Sequence, residues 1–352
     1  MQLYDNSLPT YLDLARGYGP NNEVLPLVDT LAQTNEILLD AVPQECNSGM
    51  KHIFSTVLKE PKFYIKKFNL GTPDSDFQMG SAEESCAMFE GRAQIDVDLL
   101  KMAKNKADFL MKRDKQFLNK FNKDMATMLL YASVADDAGS FNGLATRYSR
   151  KVGQFEDQII DAGGGQGSKS TEQLTSIYLV VWSDTTVCTL YPQGTALGLE
   201  KKDLGVSTIQ QIGEDNETLS LEVQRTKFSW KLGLAVLDPR YIVRIANISV
   251  KDLRQGTGTQ APNAQTNIMR LMIDAMNTVP SLSAGRPAFY MNRYIYSSLQ
   301  KQGLMFSGNV LSFQEASNQF AAPGKQASGF GSFSGIPMRR VDALRIDETL
   351  VK

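Results

Sequence analysis

His52 is the single histidine of this 352-residue chain, and that alone removes several chemistries. A metal site of the HExxH kind needs two imidazoles on one helix face. A Cys–His nucleophilic dyad would have to use His52, which falls in a segment read below as a hairpin, where an exposed loop histidine is the simpler reading. Cys46, Cys86 and Cys188 are odd in number and far apart in sequence. They supply neither a disulfide framework nor a metal-ligand spacing, and read as buried free thiols of a reducing cytoplasm. The run Gly163 to Ser170, GGGQGSKS, approaches a phosphate loop, but the motif needs glycine directly before its lysine and Ser168 stands there. The run also precedes a strand, whereas a phosphate loop opens a helix. It reads as a flexible surface loop. The acidic pairs Glu83-Glu84 and Asp136-Asp137 are sequence neighbours, which rarely converge on one substrate, so they read as solvated charge. No catalytic, cofactor-binding or metal-binding residue is assigned, and no cofactor is expected.

Bulk properties narrow the class further. Thirty-seven basic side chains against thirty-eight acidic ones leave a net charge of -1, without the basic excess of a dedicated nucleic-acid binder. Hydrophobic residues at 42% and charged residues at 21% suit a globular core, and the length suits about two domains. Met1 to Gly19 carries Asp5 and Asp13 and no apolar h-region, so it does not read as a signal peptide. The sequons Asn216-Glu217-Thr218 and Asn247-Ile248-Ser249 therefore carry no expectation of glycosylation. The strongest apolar run, Ile177 to Trp182, is far shorter than a membrane span, and no membrane partner is expected.

The elements that would position functional surfaces can be read in outline. Asn22 to Ala41 has helical spacing through Leu25, Val28, Leu31 and Leu38. Lys51 to Leu58 and Lys62 to Leu70, rich in β-formers and separated by Lys59, Glu60 and Pro61, predict a long hairpin. Ser85 to Asp96 predicts a further extended segment. Val97 to Ser133 predicts a long helix with Lys104-Asn105-Lys106 as a candidate kink. Leu110, Phe117, Phe121, Met125 and Met128 mark its packing face. Unbroken, it would run about 55 Å at ~1.5 Å per residue. It carries eight basic side chains against four acidic ones, which reads as a solvated face, a lining for a DNA-filled space, or a patch for an acidic partner. Strands follow at Thr175 to Trp182, Thr185 to Leu190, Thr218 to Phe228 and Tyr241 to Ile248, with a turn at Tyr191 to Gly194. Helices are predicted at Gln265 to Asn277 and Pro287 to Gln302. A loop-rich stretch spans Ala321 to Gly335, and the end, Ile336 to Ile346, is extended.

The second half carries an ordered series of short motifs: NGLATRY (Asn142 to Tyr148), IDAGG (Ile160 to Gly164), SIYLVVW (Ser176 to Trp182) and YPQG (Tyr191 to Gly194). Gly198-Leu199, WKLGL (Trp230 to Leu234), DPRY (Asp238 to Tyr241), RIAN (Arg244 to Asn247), FYMNR (Phe289 to Arg293) and GIPMRRVDAL (Gly335 to Leu344) continue it. In this order the chain resembles the major capsid proteins of tailed double-stranded DNA bacteriophages, the short-tailed ones above all. The resemblance implies an α+β, HK97-like fold. It would have an N-terminal arm and helix (1–46), an extended loop (47–80), a peripheral domain with a long spine helix (81–135), an axial domain (136–313) and a C-terminal return to the peripheral domain (314–352). Residues 241–248 are a second candidate for that return.

The implied function is a shell-forming structural protein and not an enzyme. Subunits would join as hexamers and pentamers of an icosahedral capsid around the phage genome, packaged DNA being met without sequence specificity. The short stretch before the hairpin implies a separate scaffolding protein, and the resemblance adds a portal protein and, in some members, a decoration protein as partners. Assembly is expected in the host bacterial cytoplasm, and the product is the virion capsid. Ile53, Phe54, Val57, Lys59, Glu60, Phe63, Tyr64, Ile65 and Phe68 are the candidate intersubunit contacts. No partner can be matched to Lys59, Lys62, Lys66 or Lys67 for a covalent cross-link. An encapsulin-like compartment, a nucleotide-dependent enzyme using the Gly163 to Ser170 loop, and a sequence-independent DNA-binding protein are the alternatives.

Overall fold

Strand Leu174–Trp182 is buried along its whole length, which is why LTSIYLVVW reads as an apolar run and not as an alternation. Its side chains still divide by the period of two. Tyr178, Val180 and Trp182 enter one core, and Ile177, Leu179 and Val181 enter another on the opposite face. The computed structural model describes residues 35–102, 105–151, 156–163, 173–212, 218–255, 268–305, 311–312 and 331–352. Strand Ile242–Ser249 flanks the central strand antiparallel on one side and Arg286–Met291 on the other; Ile336–Arg340 then runs parallel to the latter.

Helices close both faces. Ile268–Thr278 brings Ile268, Met272 and Ala275 to one core, where Ile295 and Leu299 of helix Arg293–Met305 join them. The C-terminal half of helix Lys106–Tyr131 brings Met125, Ala126, Leu129 and Leu130 to the other, beside Phe141, Leu144 and Tyr148.

Several expectations are corrected. The helix expected over Pro287 to Gln302 begins only at Arg293, because Ala288 to Met291 form a fully buried strand between two neighbours. The long helix is two helices, Val97–Met102 and Lys106–Tyr131. Asn105 adopts an extended backbone, and its side chain accepts the Asp108 amide, an N-cap that starts a new helix. The hairpin's second strand is not Lys62 to Leu70. Lys51–Lys59 pairs instead with the first half of Gln78–Asp96, from Lys51↔Ser85 to Lys59↔Gln78. Lys62 to Leu70 belongs to the tip, which reverses at a turn over Phe68 and Asn69. His52 is buried rather than exposed, on the strand face it shares with Phe54, their ring centroids 6.4 Å apart. Most of the Asn22 to Ala41 helix lies outside the described residues, which contain only Ile37–Asp40 of it. Most of Gly163 to Ser170 and of Ala321 to Gly335 also lies outside them.

A second long hairpin was not anticipated. Leu199–Ile212 pairs with Thr218–Val236, whose other edge takes the second half of Gln78–Asp96 from Cys86↔Gly233 to Asp96↔Val223. This three-stranded ribbon joins the central sheet through Val187–Tyr191, at Leu190↔Gly233. Gly233 is required at that crossing, since a Cβ there would lie 2.7 Å from the Ser85 carbonyl oxygen.

Candidate assembly surfaces

The extended loop is fixed at its base and bare beyond it. Asn47 imitates a strand at the base: its Nδ2 donates to the Ile53 carbonyl at 2.7 Å and its Oδ1 accepts the Ile53 amide at 2.8 Å. Arg147 clamps the returning strand with two bonds to Glu84, at 2.7 and 2.6 Å. Both groups are mostly buried, so this pair counts for more than an exposed bridge such as Lys51–Glu83. Along the paired arms, Ile53 and Val57 share the exposed row, Val57 opposite Met79, while Phe54 sits half-buried on the reverse face. Beyond Lys59 and Glu60 no ladder forms until Gln78. Phe63 and Ile65 are each 95% exposed, Phe68 is fully exposed, and Tyr64, Leu70 and Phe77 are exposed as well. Among the described residues, no side chain between Lys51 and Gly80 joins an apolar core cluster.

The long helix is bedded on the ribbon. Phe117 stacks on Phe228 at 5.3 Å between centroids and 14° between planes, and Phe121 tilts over the same ring at 6.5 Å. Gly91, opposite Phe228 in register, leaves room for Phe121: a Cβ there would stand 3.2 Å from its ring. Leu110 packs on a small cluster of Ile95, Leu99 and Leu100, Met125 is enclosed in the main core, and Met128 is half-buried against it. Arg113 donates to Thr226 at 3.0 Å, and Lys201 pairs with Asp114 on the same side.

Among the described residues, no helix packs on the ribbon's opposite face. Arg92, Lys227 and Lys202 stand in one register row across the three strands, next to a row holding Glu90 and Glu200. Glu90 bonds to both Arg92 and Lys227, and these contacts hold its carboxyl below the usual range. The residues border an open groove of about 600 Å³ that also takes in Met88 and Leu204.

Sequence reasoning missed the polar stitches that hold these surfaces in place. Asp40 accepts two bonds from Arg339, at 2.8 and 2.7 Å, and one from Tyr290, whose hydroxyl in turn accepts Trp182 Nε1 at 2.7 Å. Asn247, at φ 58°, exchanges two 2.9 Å bonds with the Val351 backbone, and Asn292 donates to the Leu344 carbonyl. Each of these residues except Asp40 and Val351 lies in one of the quoted motifs. The motifs were a signal for these positions without stating their role. Among the described residues, no group of three or more His, Cys, Asp or Glu side chains forms a metal site, and no helix is long and apolar enough to cross a membrane.

A family model described as major capsid protein GP7 matches residues 19–352. Among solved structures, the chain is similar to the near-atomic resolution cryo-EM structure of bacteriophage Epsilon15. The identity is 25%, the alignment covers 100% of this chain and 99% of that one, and the TM-score is 0.74. It is also similar to the bacteriophage JBD30 capsid at 10% identity, covering 90% of this chain and 93% of that one with a TM-score of 0.46. Likeness to the holo-SrpI encapsulin complex from Synechococcus elongatus PCC 7942 is 11% in identity, covering 73% and 99% of the two chains with a TM-score of 0.41. No curated protein matches the sequence.

Proposed function

The chain belongs to the major capsid protein GP7 family, and from that premise we propose how its subunit closes a shell. Membership makes it a structural, shell-building protein of a bacteriophage virion and not an enzyme, and its fold is HK97-like. The loop over residues 47–80 lies across a neighbouring subunit, with Phe63, Tyr64, Ile65 and Phe68 as its apolar contacts, Ile53, Phe54 and Val57 along the arms, and Lys59 and Glu60 as a polar rim. The observation that carries this is the exposure of Phe63, Ile65 and Phe68 on a segment with no core of its own. Isolated two-stranded hairpins are marginal in water, and contiguous exposed apolar surface marks an interaction site.

The division of labour we assign is an arm at 1–46, the loop at 47–80, a peripheral domain at 81–135 carrying the spine helix, an axial domain at 136–313 and a returning segment at 314–352. Ile242–Ser249, paired to the central strand, goes with the axial domain in this scheme. Axial domains would meet around hexamer and pentamer centres of an icosahedral shell, assembled in the host cytoplasm on a separate scaffolding protein. A portal protein, packaged double-stranded DNA and a decoration protein complete the partners. Many modest interfaces, each worth about 25 cal/mol per Å² of apolar area before ordering costs, supply the stability. Co-expression of the chain with the neighbouring scaffold gene, followed by negative-stain microscopy, tests the scheme. Closed shells of hexamers and pentamers are expected; dispersed monomers under every condition would overturn it.

A further inference from the structure

Three cysteines whose first and last members stand 142 positions apart in sequence converge at one place. Cys46, Cys86 and Cys188 share a buried cluster with Leu190 and Ala235, where the extended loop, taken with the paired strand residues 81–85 at its base, leaves and re-enters the body of the subunit. Cys46 immediately precedes that loop and Cys86 immediately follows it. Their Sγ atoms stand 3.3 Å apart. Cys188 is engaged elsewhere, donating to Gln44 Oε1 at 3.0 Å. We propose that Cys46 and Cys86 are an oxidation site, at which an intrachain disulfide locks the base of the extended loop.

The geometry is already close. A disulfide needs about 2.05 Å between sulfurs, a small approach for side chains whose backbones are held: the Cys46 amide donates to the Tyr191 carbonyl and the Cys86 amide to the Met50 carbonyl, both at 2.9 Å. The pair adjoins exposed residues, since Asn47 and Ser48 lie at the surface. Burial raises both thiols above their ordinary range, so they rest as thiols and wait on a small oxidant admitted by fluctuation of the loop base. Hydrogen peroxide serves as that oxidant. The deprotonated Cys46 sulfur attacks one peroxide oxygen and the O–O bond breaks. This gives a sulfenic acid on Cys46 and, with the released proton, one water. The Cys86 sulfur then attacks the sulfenic sulfur, an S–S bond forms as the S–O bond breaks, and the hydroxyl leaves with the Cys86 proton as a second water. Two thiols and one peroxide become one disulfide and two waters. The new bond closes a loop with a separation of 40 residues, and so removes freedom from the forms in which the loop base is open. A shell leaving a reducing cell for an oxidising medium would meet such an oxidant; this last step rests on the capsid reading, whereas the chemistry of the site does not.

The test uses the full chain, free and in assembled particles. After treatment with hydrogen peroxide or with dithiothreitol, the protein is denatured, alkylated and digested without reduction for peptide mass spectrometry. The expected result is a Cys46–Cys86 linked pair in the oxidised sample alone, with Cys188 alkylated in both. Cys188→Ala should keep the link, which guards against loss of a single-cysteine variant to misfolding. Three alkylated cysteines after peroxide, or a link through Cys188, would overturn the assignment. Amide exchange over residues 47–53 should slow by about tenfold on oxidation; unchanged exchange with the link formed would overturn the locking role. Whether shells form has no bearing on either outcome.

Discussion

Arg244 and Glu348 form an ion pair 104 residues apart in sequence, 2.9 Å between Nη2 and Oε2, with 4% and 5% of their side chains exposed. Further hydrogen bonds surround the pair. Arg244 Nη1 donates to the Tyr148 carbonyl at 2.7 Å and Nε donates to Ser176 Oγ at 3.1 Å. Ser176 and Tyr131 donate their hydroxyls to Glu348. The guanidinium also lies over the Tyr178 ring, 5.5 Å from its centroid. One buried pair thus ties the chain's last segment to the central strand, the flanking strand and the end of the long helix. Burial together with the neighbouring Glu348 charge pushes the Tyr131 hydroxyl above its ordinary range, so it stays a donor.

Glu348→Ala should therefore be severe. It leaves the Arg244 charge buried without a counter-ion, a loss of about 3–5 kcal/mol, whereas replacing both partners with apolar residues of similar volume costs much less. Urea unfolding of Glu348→Ala and of the Arg244→Met, Glu348→Met double variant checks this. Equal, small losses for both would mean that the pair is solvated and that the segment is held by its other contacts, those of Leu344, Arg345, Val351 and Lys352 among them.

Phe121→Asp tests the bed of the long helix. The ring lies between Phe228 and the backbone at Gly91, so a carboxylate there is either buried without a partner or lifts the helix from the ribbon. Several kcal/mol are expected. Soluble yield and melting temperature should collapse, and a variant that melts like the parent would show the helix to be bound elsewhere.

Gly143→Ala probes the sharp return after the long helix. An added Cβ would lie 2.7 Å from the Leu130 carbonyl oxygen and 2.9 Å from the Ala132 nitrogen, backbone atoms that cannot step aside. Overpacking of this kind costs about 1–3 kcal/mol. Gly139→Ala, where the nearest atom is the Asp137 side chain at 3.4 Å, should change stability by less than about 0.5 kcal/mol. Thermal denaturation of the two variants should separate them clearly; matching melts would show that the return relaxes.

What the sequence let one see follows the physics of burial. Ile177 to Trp182 was legible because a strand covered on both faces keeps only apolar residues, and Lys106–Tyr131 was legible because one face of it is packed at helical spacing. Strand Leu199–Ile212 was not. Exposed along most of its length, it carries Glu200, Lys201, Lys202 and Asp203 where a buried strand would show alternation. Lys62 to Leu70 misled for the opposite reason. Its β-forming residues are spent on side-chain surface at the tip, while the strand that pairs with Lys51–Lys59 includes Gly80, Ser81, Glu83 and Glu84 and is specified by continuity with the ribbon. The candidate surface could be named from composition, since so much aromatic and aliphatic area sits on one hairpin. The stitches could not, because Arg147–Glu84, Arg244–Glu348 and Arg339–Asp40 join residues 63, 104 and 299 positions apart.

Residues 60–77 make few bonds to one another: the Lys62 amide donates to Ser75 Oγ, the Leu70 amide to the Lys67 carbonyl and the Phe77 amide to Asp76 Oδ1. The paired arms and the Arg147–Glu84 clamp lie below the tip and do not depend on it. Replacing Pro61 to Phe77 with a short Gly/Ser linker should therefore leave the subunit folded, with circular dichroism and melting temperature close to the parent. It should also remove the apolar surface offered to a neighbour, so that sedimentation finds monomers and small oligomers where the parent, with its scaffold, closes shells. Phe63→Asp combined with Phe68→Asp should do the same without shortening the chain, since both side chains are exposed in the subunit and a charge there is unfavourable only when something covers it. Normal shells from both variants would refute an intersubunit role for the tip. An unfolded linker variant would place the tip in the subunit's own core.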